Sequence, residues 1–285
     1  MDWRGRKGSS NIEDHRASGS RGARVGGIGG IGMVAVLVIG YFLGIDVTPL
    51  LNGGMGSLVQ SEGGAEITQA DEEAAQFVSV NLAFTEQIWA KILREQANQT
   101  YNPAVLYLFK GAAQSPCGDA SGATGPFYCP GDQKVYLDTD FFNTMQQQLG
   151  ASGDFAMAYV VAHEVAHHVQ DELGILEKAN TLRARVGEAE SNAISVQIEL
   201  QADCLSGIWA RGVQEQFGAI QPGDFEEAFN AAKAIGDDTL QRNAGRRVSP
   251  ESFTHGTSKQ RSSWFAKGLK SGQLRDCNTF SAAQL

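Results

Sequence analysis

The run from Met157 to Val169 is largely apolar, yet it carries His163, Glu164 and His167 in its middle. On an α-helix, positions four residues apart lie on the same face, one turn apart. Burying three ionisable side chains in apolar surroundings without a partner would be energetically costly. The run therefore predicts a buried helix whose two imidazoles bind a common partner, and this requirement restricts how the rest of the chain packs.

The spacing of the two histidines is typical of a metal site. Two imidazoles at positions i and i+4 can reach one ion, whereas Glu164 lies about 100° around the helix axis and can reach water at the ion. A catalytic zinc ion takes three protein ligands and keeps one position for water. We therefore predict that His163 and His167 bind Zn²⁺ and that Glu164 is the general base of a hydrolase. A solvated polar turn is the alternative, which the apolar flanks disfavour.

The third zinc ligand is expected on another element. Glu199 and Asp203 are four residues apart on a predicted helix, so they share a face. We predict that Glu199 binds the metal and that Asp203 accepts the free N–H of a ligand histidine, as such imidazoles usually require. A solvated acidic face is the alternative for this pair. The other candidates for the third ligand are Glu188, Glu190 and His255.

A segment of 21 uncharged residues extends from Val25 to Ile45. This length suffices to cross the hydrocarbon core of a bilayer as a helix. Six basic residues precede it, so the positive-inside rule places the N-terminus in the cytoplasm and the following residues outside. A cleaved signal peptide is the alternative, but residues 44–48 fit a cleavage site poorly.

The composition divides the chain of 285 residues into four parts. We predict a disordered, basic cytoplasmic tail over residues 1–24 and a transmembrane anchor over 25–45. A glycine-rich, flexible linker is predicted over 46–70, followed by one globular domain over 71–285. The net charge of −9 argues against nucleic-acid binding.

The chain contains four cysteines, which allow three pairings. Cys117 and Cys129 bracket a loop rich in glycine and proline, so their pairing is the local choice. A disulfide between Cys204 and Cys277 then follows by elimination. Disulfides persist in exported domains, whereas four free thiols would be expected in the cytosol.

The apolar periodicity predicts an α+β fold that is mostly helical, with a small β-sheet. Strands are predicted over residues 104–109 and 134–142. Helices are predicted from Asp71 onward and over residues 154–173, 176–209, 224–235 and 258–269, with Ser152 or Asp154 capping the second of them.

The whole chain resembles the bacterial neutral zinc metallopeptidase family, and its zinc motif resembles that of the gluzincins. The segments that carry the resemblance are Met1-Asp2-Trp3-Arg4, the glycine-rich segment, Gly125-Pro126-Phe127-Tyr128-Cys129-Pro130, Val135-Tyr136-Leu137-Asp138, His163 to Gln170, Glu199 to Cys204 and Thr254-His255-Gly256-Thr257-Ser258.

This resemblance implies a zincin-like domain that hydrolyses peptides or proteins. In a bacterial chain, the single span predicted above would anchor this domain to the inner membrane and place it in the periplasm. Gluzincins usually supply a further histidine or tyrosine that steadies the transition state. His255 is the candidate for this role here, and Tyr159 is the alternative. In zincins an edge strand pairs with the substrate, which suggests the strand at residues 134–137.

Two other functions remain possible on these patterns: a non-catalytic envelope scaffold that contains zinc, and a metal-dependent hydrolase of other substrates. The sequence gives no indication of the cleavage preference or the oligomeric state.

Overall fold

A computed structural model describes residues 1–17, 67–121, 124–148 and 150–281, and shows an α+β fold that is mostly helical. Its strands are β1 (Ile12–Asp14), β2 (Val105–Phe109), β3 (Ala112–Ser115), β4 (Gly118–Ser121), β5 (Phe127–Cys129) and β6 (Lys134–Asp138). Its α-helices are α1 (Gln69–Ile92), α2 (Phe141–Gln148), α3 (Asp154–Glu172), α4 (Ile175–Arg183), α5 (Glu188–Phe217), α6 (Asp224–Ala234), α7 (Asp237–Asn243) and α8 (Ser258–Ser271).

Four strands form a mixed sheet in the order β1-β2-β6-β5. β1, β2 and β6 are parallel, whereas β5 runs antiparallel to β6 and lies at the edge. Strands β3 and β4 form a separate hairpin. The strand predicted over residues 134–142 ends at Asp138, because Phe141 begins α2. The strand at 134–137 is therefore internal, and the suggestion that it is a free edge is wrong.

The helix predicted over residues 176–209 is in fact two helices, α4 and α5. The break falls at residues 184–187, where Gly187 has an extended backbone. Glycine is a poor helix former, and acidic residues at Glu188 and Glu190 favour the start of a new helix. Helix α3 follows Gly153 and has no side-chain cap from Ser152 or Asp154. Glu227 instead accepts the backbone N–H of Phe155.

Helices α5 and α8 approach each other closely. A Cβ atom at Gly268 would lie 1.8 Å from the carbonyl oxygen of Cys204, so only glycine fits there. The disulfide between Cys204 and Cys277 joins α5 to the 3-10 turn Leu274–Cys277 that follows α8, and a second disulfide joins Cys117 to Cys129. Both predicted pairings are therefore present.

The prediction that residues 1–24 are disordered is wrong for residues 1–17, because they pack on the domain. Met1 and Trp3 are 5% and 4% exposed, and β1 pairs with β2. The basic, glycine-rich composition of this segment predicted disorder, although a few apolar residues in it pack on the core. Residues 67–70 likewise belong to the start of α1 and its cap, not to a linker. The remaining parts of the predicted tail and linker, and the predicted anchor over 25–45, lie outside the described residues.

None of the helices within the described ranges is both long and apolar enough to span a bilayer.

Replacing Trp3 with alanine tests whether the N-terminal residues belong to the core. Trp3 packs edge-to-face on Phe77, with ring centroids 5.3 Å apart. We expect Trp3→Ala to lower the free energy of unfolding by about 3–5 kcal/mol, since it leaves a cavity. Chemical denaturation measures this change. The exposed Lys7→Ala is the control, expected to stay within about 0.5 kcal/mol of the parent. Equal stability of the two variants would contradict the packing.

Candidate metal centre

Three predicted ligands meet where α3 crosses α5. The Nε2 atom of His163 lies 3.0 Å from one carboxylate oxygen of Glu199, and the Nε2 atom of His167 lies 3.5 Å from the other. The ligand atoms of this trio all lie within 4.8 Å of one another. The two histidines are one turn apart on α3, and their ring centroids are 4.9 Å apart. The helix thus presents both imidazoles to a carboxylate from a separate helix.

The alternative third ligands are not part of this trio. Glu188 and Glu190 lie at the N-terminal end of α5, and a rise of 1.5 Å per residue separates them from Glu199 by about 14–16 Å. His255 lines the same cleft as the trio but does not join the group of possible metal ligands. Among the sequence candidates, the structure therefore brings Glu199 to the histidines.

Gln170 orients His167. The amide oxygen of Gln170 lies 2.8 Å from Nδ1 of His167, while its amide nitrogen donates to the carbonyl oxygen of Ile198 at 2.8 Å. Because an amide oxygen only accepts hydrogen bonds, Nδ1 carries the proton and the lone pair of Nε2 is directed to the site. Sequence reasoning assigned no role to Gln170. Its position three residues after His167, on the same helix face, was the available signal.

Asp203 lies behind His163. Its carboxylate is fully buried, and one carboxylate oxygen lies 3.1 Å from Nδ1 of His163. This nitrogen is also buried and forms no well-aligned hydrogen bond. This is the position predicted for Asp203 as the partner of a ligand histidine. A proton on Nδ1 leaves Nε2 free to bind a cation.

Arg261 and Tyr159 compensate the charge of Asp203. Arg261 on α8 donates from Nε at 2.9 Å and from Nη2 at 3.1 Å, and the hydroxyl of Tyr159 also donates to the carboxylate. Although burial alone raises the pKa of a carboxyl group, the charges of Arg261 and His163 keep the pKa of Asp203 below its usual value. Arg261 was missed as a site residue, because only folding brings α8 to α5.

The electrostatics of the trio suit a cation. Burial alone would lower the pKa of His163, but the carboxylates of Asp203 and Glu199 raise it to about 10. The two imidazoles in turn hold the pKa of Glu199 well below its usual value, against the effect of burial. The site thus stabilises positive charge between two carboxylates. Two imidazole nitrogens and one carboxylate also form a donor set that zinc accepts, so these residues fit that ion.

Glu164 faces the cleft from the same helix turn. It is 8% exposed, and burial raises the pKa of its carboxyl group to about 7. The backbone of Tyr128, on the edge strand β5, opposes this rise by a smaller amount. A carboxyl group with a pKa near neutrality can both take up and release a proton at physiological pH. The structure therefore gives Glu164 the environment of an acid–base group.

Asp237 holds His255 at the wall of the cleft. One oxygen of Asp237 accepts backbone N–H groups from residues 254–256, and the other lies 3.2 Å from Nδ1 of His255. Partial burial opposes the charged form, but Asp237 and Glu199 raise the pKa of His255 above its usual value. The ring retains 38% of its side-chain surface exposed, so it can reach a molecule in the cleft.

The polar atoms of His168 and Tyr159 are already hydrogen-bonded to other protein groups. The ring nitrogens of His168 lie 3.1 Å from the hydroxyl of Tyr128 and 2.7 Å from the carbonyl oxygen of Asn102. His168 therefore links α3 to the sheet side, as a packing residue. Tyr159 is fully buried, and its hydroxyl is bound to Asp203. Because this hydroxyl is already bound to Asp203, His255 is the better placed of the two candidates for stabilising a transition state.

The cleft above the trio has a volume of about 400 Å³. Most of its wall is apolar and comes from both sides of α3, with Phe127, Tyr128, Val160, Leu176, Ile198 and Ile235 among the lining residues. The edge strand β5 forms one border. An extended chain lying there would meet an unpaired strand edge on one side and the carboxylate of Glu164 on the other.

Comparisons with known proteins give one consistent result. A family model described as "Putative neutral zinc metallopeptidase" matches residues 1–280. The Escherichia coli K12 protein YpfJ is 47% identical over 288 residues, which cover 98% of this chain and 99% of YpfJ. The Mycobacterium tuberculosis protein Rv2575 is 40% identical over 227 residues, covering 75% of this chain and 74% of the relative. Both relatives carry the description "uncharacterized". No solved structure matches the chain. The chain therefore belongs to the neutral zinc metallopeptidase family.

Proposed function

We propose that this protein is a zinc-dependent peptidase that hydrolyses peptide bonds with Glu164 as general base. The observation that carries the proposal is the convergence of His163, His167 and Glu199, with Glu164 facing the same cleft. The family assignment supports zinc and hydrolase chemistry. The group of possible ligands has three members in the described part of the chain, the number typical of catalytic rather than structural zinc sites.

Zinc bound to the trio would polarise the carbonyl of the scissile bond and make the attacking water more acidic. Glu164 then takes the proton from that water and passes it to the nitrogen of the leaving amine. A protonated His255 donates a hydrogen bond to the oxygen on which negative charge develops. Asp203 and Gln170 keep the two imidazoles in the tautomer that binds a metal.

The cleft supports an extended peptide or protein as substrate. Strand β5 is antiparallel to β6, and its other edge is unpaired within the described sheet. A peptide that lies along β5 would form main-chain hydrogen bonds there, independently of its sequence. The apolar walls would then select large apolar side chains near the scissile bond.

We further propose that the domain works outside the cytoplasm, in the bacterial envelope. All four cysteines of the chain form disulfides, which persist in oxidising compartments. Anchoring through residues 25–45 remains a prediction from the sequence.

The role of Glu164 is tested with Glu164→Gln. The amide cannot accept the proton of water, so we expect kcat to fall by about 10²–10⁴ while zinc content stays at the parental level. Digestion of a peptide library and elemental analysis of the purified protein measure the two quantities. Glu188→Gln, on the exposed start of α5, is the matched control and should behave as the parent. Undiminished cleavage by Glu164→Gln would remove Glu164 as the base.

The role of Glu199 is tested with Glu199→Ala. Removing a residue that only supports a metal ligand usually weakens metal binding by about 10–100-fold. Removing Glu199, a direct ligand in this proposal, should weaken zinc binding by more than that. Competition with a chromophoric chelator measures the affinity without reference to activity. Glu188→Ala is the control, since it removes a carboxylate from the same helix about 16 Å away. Parental affinity in Glu199→Ala would exclude Glu199 as a ligand.

The role of His255 is tested with His255→Gln. We expect kcat to fall by about 10²–10³, as for loss of an oxyanion donor, with KM and zinc content near the parental values. His15→Gln, on a histidine beside Tyr107, is the control. A rise in KM alone would instead show that His255 only binds the substrate.

A further inference from the structure

We infer that residues 1–17 lie in the same compartment as the metallopeptidase domain, so that residues 25–45 do not separate the two by a single crossing of the membrane. The inference rests on contacts among described residues and does not depend on catalytic activity.

The first line of support is the sheet. Strand β1 pairs in parallel with three of the five residues of β2, with Ile12, Glu13 and Asp14 opposite Leu106, Tyr107 and Leu108. Nζ of Lys134 on β6 lies 2.9 and 2.8 Å from the two carboxylate oxygens of Glu13. A parallel strand with this register is a structural member of the sheet.

The second line is Arg16, whose side chain is 4% exposed. Its Nη1 donates to the carbonyl oxygen of Asp71 at 2.7 Å, and its Nη2 donates to Glu72 at 3.3 Å. Asp71 caps the start of α1, where it also accepts a hydrogen bond from Lys110 at 2.6 Å. The chain therefore leaves the described fold after residue 17 and re-enters it at residue 67 at neighbouring points of one surface.

The third line is the connection to the metal helix. The α-amino group of Met1 lies 2.6 Å from Asp154, the first residue of α3, and 3.2 Å from Asp224. Trp3 is buried in the main core, against Phe77 of α1. Residues 1–17 are thus bound to the helix that carries His163 and to the core beneath it.

These contacts conflict with a single membrane crossing between residues 17 and 67. Such a crossing would place residues 1–17 and the domain on opposite sides of the bilayer, where none of the contacts can form. Docking onto a second copy does not resolve the conflict, because every copy would have its N-terminus on the same side.

Three of the six basic residues behind the positive-inside prediction take part in the fold, whereas Arg21 and Arg24 lie outside the described residues. Arg6 pairs with Asp2 at 2.9 Å, Arg16 pairs with Asp14, and Arg4 lies over the ring of Trp3. Together with the proposed location outside the cytoplasm, the inference places residues 1–17 there as well.

Labelling of single added thiols tests the inference in the full-length protein. All four native cysteines are in disulfides, so an introduced cysteine is the only free thiol. Ser10→Cys reports on the N-terminal residues and Lys178→Cys on the domain, since both positions are exposed. Each variant is treated in bacterial spheroplasts with a membrane-impermeant maleimide, before and after detergent lysis.

We expect Ser10→Cys and Lys178→Cys to label equally without lysis. If both label only after lysis, the shared compartment is upheld, and the proposed location outside the cytoplasm is wrong instead. Labelling of one position without lysis and of the other only after lysis, in either order, would overturn the inference.

Discussion

The buried ion pair between Arg261 and Asp203 is the interaction on which the site geometry depends. It joins α8 to α5, and the hydroxyl of Tyr159 brings α3 to the same carboxylate. Leaving one buried charge without its partner typically costs about 3–5 kcal/mol, so this junction strongly favours one arrangement of the three helices. The glycine at Gly268 lets the same two helices pack closely, and the nearby disulfide joins α5 to the turn that follows α8. The metal trio is a consequence of this arrangement, because Glu199 lies one turn before Asp203.

Burial also determines the acid–base properties of Glu164 in the cleft. Glu164 lies in largely apolar surroundings, and this burial raises its pKa to about 7, although the backbone of Tyr128 on β5 partly opposes the rise. A wall that excludes water from the carboxylate also offers apolar surface to a substrate. The proposed base and the strand edge proposed to hold the peptide thus line the same cleft.

The sequence predicts the parts of the site that depend on local geometry. Helical spacing alone identifies His163, Glu164 and His167, and the same spacing relates Glu199 to Asp203. The roles of Arg261 and Gln170 were not predicted. The role of Arg261 depends on contact between helices that are distant in the chain, and the role of Gln170 depends on its neighbour His167. The packing of residues 1–17 was missed for a different reason. Their few apolar residues, such as Trp3 and Ile12, are spaced too widely to produce a periodic signal, and a parallel strand needs a partner from elsewhere in the chain.

The coordination of zinc in the loaded protein tests the central claim most directly. A crystal structure with anomalous data at the zinc edge should show one ion bound by Nε2 of His163, Nε2 of His167 and the carboxylate of Glu199. Protein bonds of about 2.0–2.2 Å and one further position without a protein ligand are expected. An ion bound away from Glu199, or a fourth protein side chain closing the site, would contradict the account.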